Sequence, residues 1–273
     1  MNNTMQFKAR IRNIAAASNI PAQVVLQNYM LERLLERIAY SKYKDKFILK
    51  GGMLIASIVG IESRTTMDMD TTVRGLALSE VVLQKILVEI CEISLGDSVV
   101  LTVKGIEPIR DDDEYGGFRA TLNAQYETIH TPLKMDITAG DVITPGAIHH
   151  ILSSKVDGKT IQILAYNIET VLAEKVETIL RRSVLNTRPR DFYDVYILTK
   201  TQLFDREIFT QALKSTAQRR SSLAGLENRN AIFGNIQVDS SLRQRWERYT
   251  RDNHYAREIS FDDVMAELQT LIL

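Results

Sequence analysis

The chain has 273 residues, 45% of them hydrophobic and 25% charged, which supports one large or two small globular domains with ample core. Lys plus Arg equals Asp plus Glu at 34 each, so overall charge does not mark out a nucleic-acid binder and any such surface has to be local. The single cysteine, Cys91, excludes an intramolecular disulfide. No apolar run approaches the ~18 residues of a membrane span, and no N-terminal signal sequence stands out, so a cytoplasmic protein without membrane partners is expected.

Residues 8–40 read as helical, punctuated at Ser18, Asn19, Ile20 and Pro21, where Pro21 suits the first turn of a second helix. In that helix Val24, Val25, Tyr29, Leu31, Leu34, Leu35 and Ile38 recur at 3–4 spacing as a core face, and Glu32, Arg33, Glu36 and Arg37 read as a solvated face. The stretch 47–73 then reads as a short strand, a Gly51-Gly52 turn, a short apolar helix, a loop and a second strand carrying Asp68 and Asp70. Alternation points these two carboxylates to one face and Met67, Met69 and Thr71 to the other. Like charges this close repel, and a hard divalent cation with oxygen ligands relieves them. Gly51-Gly52 lets backbone N–H groups approach a phosphate at a helix start. A strand-end turn with two solvated aspartates explains the D-x-D pattern equally well, because the motif is weak.

Residues 78–93 read as an amphipathic helix capped by Ser79, with Cys91 among its apolar residues. Strands are expected at 99–109, 116–126 and 132–137. The run Asp111, Asp112, Asp113 and Glu114 between the first two suits a solvated hairpin tip better than a metal site. A further hairpin is expected at 143–164 with Asp157-Gly158 as its turn, and His149 and His150 have no partner at metal-ligand spacing. From Asn167 onwards strand signals stop, and helices are expected near 168–183, 190–200, 205–218, 239–251 and from 261. The fold class is α+β: an α/β domain over 1–165 and a helical domain over 166–273.

Three further positions stand out. Lys134 and Asp136 share one face of a strand, and Asp136 becomes a third carboxylate if that strand lies beside the Asp68/Asp70 strand; alone, it reads as a surface residue. Lys175 projects from the middle of the helical stripe formed by Ile168, Val171, Leu172 and Ile179, opposite Glu174, Glu177 and Arg181, so it needs an anion unless it snorkels to water. Asp191 sits on the apolar side of a helix with Asp194 three residues on, either as a dipole-favoured residue of the first turn or as a partner for Lys175.

Gly51-Gly52, a D-x-D strand and a further Asp on a strand together resemble the nucleotidyltransferase fold of the polymerase β superfamily. More narrowly, the order Lys50-Gly51-Gly52, Arg64-x-Thr66-x-Asp68-x-Asp70, Lys134-x-Asp136, Glu174-Lys175 and Arg188-x-x-Asp191-x-x-Asp194, with the lead-in 28–50, resembles the AbiEii family of abortive-infection toxins, to which the MenT toxins are related. The match spans 10–200, and the gap from Gly52 to Asp68 is longer than in most polymerase-β-type enzymes. The resemblance implies a polymerase-β-type core with a mixed sheet and a C-terminal helical bundle. It also implies Mg²⁺- or Mn²⁺-dependent transfer of a nucleotide from an NTP to an RNA acceptor, the tRNA 3′ end in related MenT toxins, which blocks translation in phage defence.

By the same resemblance Asp68, Asp70 and Asp136 hold metal, Lys175 neutralises phosphate charge, and Asp191 orients Lys175 or a metal-bound water. Gly51, Gly52, Arg64, Thr66, Lys134 and Asp194 fall on the nucleotide and phosphate side. A cognate antitoxin encoded alongside is implied too. An RNA-handling surface is expected among Arg181, Arg182, Arg188 and Arg190 or among Arg243, Arg245, Arg248 and Arg251. A small-molecule or protein acceptor, or an inert binding module of the same fold, are the competing functions.

Overall fold

A computed structural model of the chain describes residues 4–109 and 116–272, so the acidic run Asp111, Asp112, Asp113 and Glu114 lies outside the described residues. The chain divides into two compact units, Met1–Gly140 with Ile148–Ala165, and Asp141–Ala147 with Tyr166–Leu273.

The first unit is built on strands β1 (Phe47–Lys50), β2 (Met69–Val73), β3 (Val99–Pro108), β4 (Phe118–Tyr126), β5 (Ile129–Ala139), β6 (Ile148–Ser153) and β7 (Thr160–Ala165). They form one mixed sheet in the order β3-β4-β5-β2-β1-β7-β6. β3, β4 and β5 are an antiparallel meander and β6–β7 is a hairpin, while β2 runs parallel to β5 and β1 parallel to β7. Side-chain alternation explains the layering. Leu133, Met135 and Ile137 of β5 and Ala120, Leu122 and Ala124 of β4 are buried, whereas Lys134 is exposed and Arg119, Thr121 and Asp136 are half-buried on the other face. Helices α1 (Thr4–Ser18), α2 (Ala22–Tyr40), α3 (Gly51–Val59) and α4 (Glu80–Cys91) complete the unit. Pro21 stands one residue ahead of α2 as its N-cap, and Ser79 Oγ caps α4 by accepting from Val82 N at 3.4 Å.

The expected solvated face of α2 is the main correction. Glu32, Arg33, Glu36 and Arg37 are all buried. Arg33 pairs with Glu36 at 2.5 Å and Asp157 at 3.1 Å and stacks over the Tyr29 ring. Arg37 makes a two-pronged pair with Asp97 at 2.8 and 2.9 Å and donates to Val99 O at 2.7 Å. The counter-charges come from loops far away in sequence, so helical periodicity cannot reveal them. The carbonyl of Val99 meets part of the remaining hydrogen-bonding capacity of Arg37, while Arg33 Nε and Nη2 and Arg37 Nε are left without hydrogen-bond partners among the described residues.

The second unit carries α5 (Ile168–Arg182), α6 (Pro189–Thr201), α7 (Arg206–Arg219), α8 (Leu223–Glu227), α9 (Arg229–Val238), α10 (Ser240–Asp252) and α11 (Phe261–Ile272). α8 and α9 carry no sequence expectation, because Ser221, Ser222, Gly225 and Gly234 interrupt the apolar pattern there. Asn167 caps α5 by accepting from Thr170 N at 2.7 Å. α6 and α11 meet through Phe192 and Phe261, with ring centroids 6.0 Å apart, and Tyr193 of α6 packs on Tyr249 and Tyr255.

Burial pushes Glu32 up to about 7, although Asn28 Nδ2 donates to its Oε1 at 2.9 Å. A carboxyl raised in the folded state contributes stability that is fully present below its ordinary value near 4.5 and is lost as pH rises through 7. Glu32→Gln removes that loss. Between pH 4.5 and 8 the stability of the variant therefore rises relative to wild type by up to about 3 kcal/mol, read by urea unfolding at both pH values; a pH-independent difference would contradict the burial argument.

Candidate active site

The site begins where β1 runs into α3. Gly51 has φ +65°, and a Cβ there would sit 2.1 Å from Asp70 Oδ2, so both the backbone angle and the space demand glycine. Gly52 N–H donates to the same Oδ2 at 3.3 Å, which sets the positive end of α3 against Asp70. A Cβ on Gly52 would come within 3.0 Å of both terminal nitrogens of Arg64 and 2.9 Å of Thr66 Oγ1. Arg64 and Thr66 are buried; Arg64 Nη1 donates to Thr65 O at 2.6 Å and Thr66 Oγ1 to Asp68 O at 3.2 Å. These two residues wall Gly52 and shape the loop that delivers Asp68.

Strand register supplies the rest. Lys50 of β1 faces Asp70 of β2, Asp70 faces Asp136 of β5, and Asp136 faces Arg119 of β4. Registered partners project to one face, so a row reading plus, minus, minus, plus crosses four adjacent strands. The adjacency that makes Asp136 a third carboxylate is present. Asp68 differs slightly from expectation: it lies in a bend one residue before β2, with its side chain exposed. Its carboxyl is pushed above the ordinary range, first by partial desolvation and then by the charge on Asp70, with Asp136 adding and Lys134 opposing.

Arg119 is the residue sequence inspection missed. Its Nε donates to Asp136 Oδ1 and its Nη2 to Oδ2, both at 2.8 Å. The polar alternation Arg119, Thr121, Asn123, Gln125 along β4 was visible, but the register that sets Arg119 opposite Asp136 was not. Among the described residues no group of three or more His, Cys, Asp or Glu side chains is gathered as a ready metal cage. The donor set nevertheless suits a hard divalent cation: Asp68 and Asp70 bring carboxylate oxygens close enough to repel, and Asp136, occupied by Arg119, lies in register beside them.

In the second unit, Lys175 points inward as its helical angle requires. Its Nζ meets Asp191 Oδ1 at 2.6 Å and Asp194 Oδ2 at 2.9 Å, and both aspartates are buried. Arg188 Nε pairs with Asp191 Oδ2 at 2.8 Å, so two cations balance two carboxylates. Asp194, expected on the nucleotide side, spends its carboxylate on Lys175. The opposite face of α5 is not solvated: Glu177 is 2% exposed and accepts from Arg181, Arg220 and Ser222 at 3.0, 2.6 and 2.8 Å. Arg220, arriving after α7, also pairs with Glu174 at 3.1 Å. Several of the candidate RNA-binding arginines are likewise engaged within the unit: Arg243 pairs with Asp262 at 2.8 Å and covers Phe261, and Arg245 donates to Asn186 O at 2.7 Å.

Two substitutions test this geometry. Gly51→Ala forces a left-handed residue against Asp70 and lowers stability by at least about 1 kcal/mol, read as a Tm lower by about 2–4 °C; an unchanged Tm would remove the close approach from the account. Lys175→Met strands Asp191 and Asp194 in the core and costs about 3–5 kcal/mol, and adding Asp191→Asn with Asp194→Asn recovers part of it. Equal loss in the single and triple variants would show that the cation is not what these carboxylates need.

The fold is shared with solved structures of other proteins. Solved structures similar to this chain include MenT4, a nucleotidyltransferase toxin of Mycobacterium tuberculosis, with 13% identity, TM-score 0.54, and coverage of 96% of this chain and 99% of that one. A Helicobacter pylori protein described as a nucleotidyltransferase is 15% identical with TM-score 0.50, covering 92% of this chain and 96% of that one. At such identities the likeness establishes the nucleotidyltransferase fold. A comparison with curated protein sequences found no match. The family model described as nucleotidyl transferase AbiEii toxin, type IV toxin–antitoxin system, matches residues 33–267. The chain therefore belongs to the AbiEii family of nucleotidyltransferase toxins.

Proposed function

We propose that the protein transfers a nucleotide from an NTP to an RNA acceptor, with the tRNA 3′ end as the first candidate, and thereby blocks translation under the control of an antitoxin encoded alongside. The observation that carries the transfer chemistry is the side-by-side register of Asp70 and Asp136, with Asp68 two residues before Asp70 and an α-helix N-terminus set against Asp70. The RNA acceptor follows from the resemblance to the MenT toxins.

In the transfer, an acceptor hydroxyl oxygen bonds to the α-phosphorus and the bond from that phosphorus to the bridging oxygen breaks. Pyrophosphate leaves with the electron pair, and the hydroxyl proton departs by way of an Asp136 oxygen to water. Asp68, Asp70 and Asp136 would hold a divalent cation, which screens the phosphate charge and sharpens the acceptor as a nucleophile. Gly51 and Gly52 let the triphosphate approach backbone at the start of α3. Arg64 and Thr66 keep Gly52 and the Asp68 loop in shape, and Lys134 supplies positive charge on the face that carries Asp136. The resemblance gives Lys175 the role of neutralising phosphate charge, and within its own unit Asp191 and Asp194 fix its ammonium.

The test is incorporation of each labelled NTP into total bacterial RNA with Mg²⁺, for wild type and Asp70→Ala. Label enters small RNA with wild type, falls by at least about 100-fold in Asp70→Ala, and disappears on chelation until Mg²⁺ or Mn²⁺ is restored. Label in a small-molecule or protein fraction would overturn the RNA acceptor. No incorporation with any NTP by the folded wild-type protein would overturn the enzymatic reading in favour of a binding role.

A further inference from the structure

The two-pronged pair between Arg119 and Asp136 is at odds with its surroundings. Asp136 stands beside Asp70, where a cation would relieve repulsion, yet both of its oxygens are taken by a guanidinium from the neighbouring strand. The arginine side chain is 41% exposed and Asp136 22% exposed. The two-pronged geometry holds Arg119 on Asp136, and its part exposure to water leaves the pair open to exchange with another anion. β4 presents the half-exposed Arg119 side chain on the polar face of the sheet, with Thr121 beside it on the strand and Lys134 on the neighbouring β5.

A guanidinium and a divalent cation on one carboxylate repel each other strongly. With one lone pair of each oxygen already taken and a positive charge beside it, Asp136 ligates a dication better once Arg119 has moved off it. The anion that enters with the metal is the triphosphate, and the planar fork that now fits a carboxylate fits a phosphate equally well. We propose that Arg119 is a nucleotide-phosphate ligand held in reserve on Asp136: it occupies the carboxylate in the free protein and exchanges it for phosphate when metal and nucleotide enter together. This rests on Asp136 being a metal ligand.

The exchange has a signature of opposite signs. Removing Arg119 clears Asp136, so the nucleotide-free protein binds metal more tightly, and the same change removes a phosphate ligand, so it binds nucleotide less tightly. The experiment measures Mn²⁺ binding by electron paramagnetic resonance to nucleotide-free wild type, Arg119→Gln, Arg119→Lys and Asp136→Asn. The affinity of each Mn²⁺-loaded protein for the α,β-methylene analogues of the four NTPs is then measured. Arg119→Gln is expected to bind Mn²⁺ about tenfold more tightly and the analogue about tenfold more weakly, with Arg119→Lys between it and wild type. Unchanged or weaker Mn²⁺ binding in Arg119→Gln, or unchanged analogue affinity, would overturn the exchange while leaving Asp136 as a ligand. Equal Mn²⁺ binding by wild type and Asp136→Asn would instead overturn the ligand assignment on which the inference stands.

Discussion

Two carboxylates held in register on adjacent parallel strands are the constraint on which the site depends. Asp70 and Asp136 come from β2 and β5, whose pairing runs from Met69 with Met135 to Val73 with Ala139. A sheet fixes such a pair far more tightly than a loop does, and it also fixes the repulsion between them. The neighbouring residues are arranged around that repulsion. Gly51 has no Cβ, so Asp70 can lie against the backbone; Gly52 N–H donates to it; Lys50 of β1 and Arg119 of β4 flank the pair on either side. Partial desolvation, and after it the charge on Asp70, pushes the Asp68 carboxyl above its ordinary range.

The protein handles charge in its interior by matched pairing elsewhere too. Arg33 and Arg37 of α2 and Glu177 of α5 are buried, and each meets opposite charges brought by segments distant in sequence. Breaking one partner leaves an uncompensated buried charge, which is why such networks lock elements in place more firmly than their net contribution to stability suggests. The Glu177–Arg220 network grips one side of the helix that presents Lys175, and Asp191 and Asp194 grip the ammonium itself. A formally neutral chain therefore spends much of its charge internally, including arginines that looked available for RNA.

What sequence could reveal follows from locality. The strand, Gly-Gly turn and helix around Asp70 were legible because each depends on residues within a few positions. The inward lysine was legible because 100° per residue places Lys175 in its apolar stripe, and its pairing with Asp191 followed from both residues needing a partner. The register that brings Asp136 beside Asp70 depends on pairing between distant strands, so it stood only as a condition. Arg119 escaped entirely for that reason. The buried face of α2 was misjudged because Asp97 and Asp157, which neutralise it, carry no local mark of that role. Asp68 falls just short of β2 because the Thr66 hydroxyl holds the preceding turn.

The central claim is that Asp68, Asp70 and Asp136 form a divalent-metal site for nucleotide. Its most direct test is a crystal structure of the protein with Mn²⁺ and an α,β-methylene nucleoside triphosphate, read by anomalous scattering. The account predicts a manganese peak at the row, with Asp70 and at least one of Asp68 and Asp136 contributing oxygens at about 2.0–2.3 Å and the triphosphate at the start of α3. Nucleotide bound elsewhere, or bound with no manganese at these carboxylates, would contradict it.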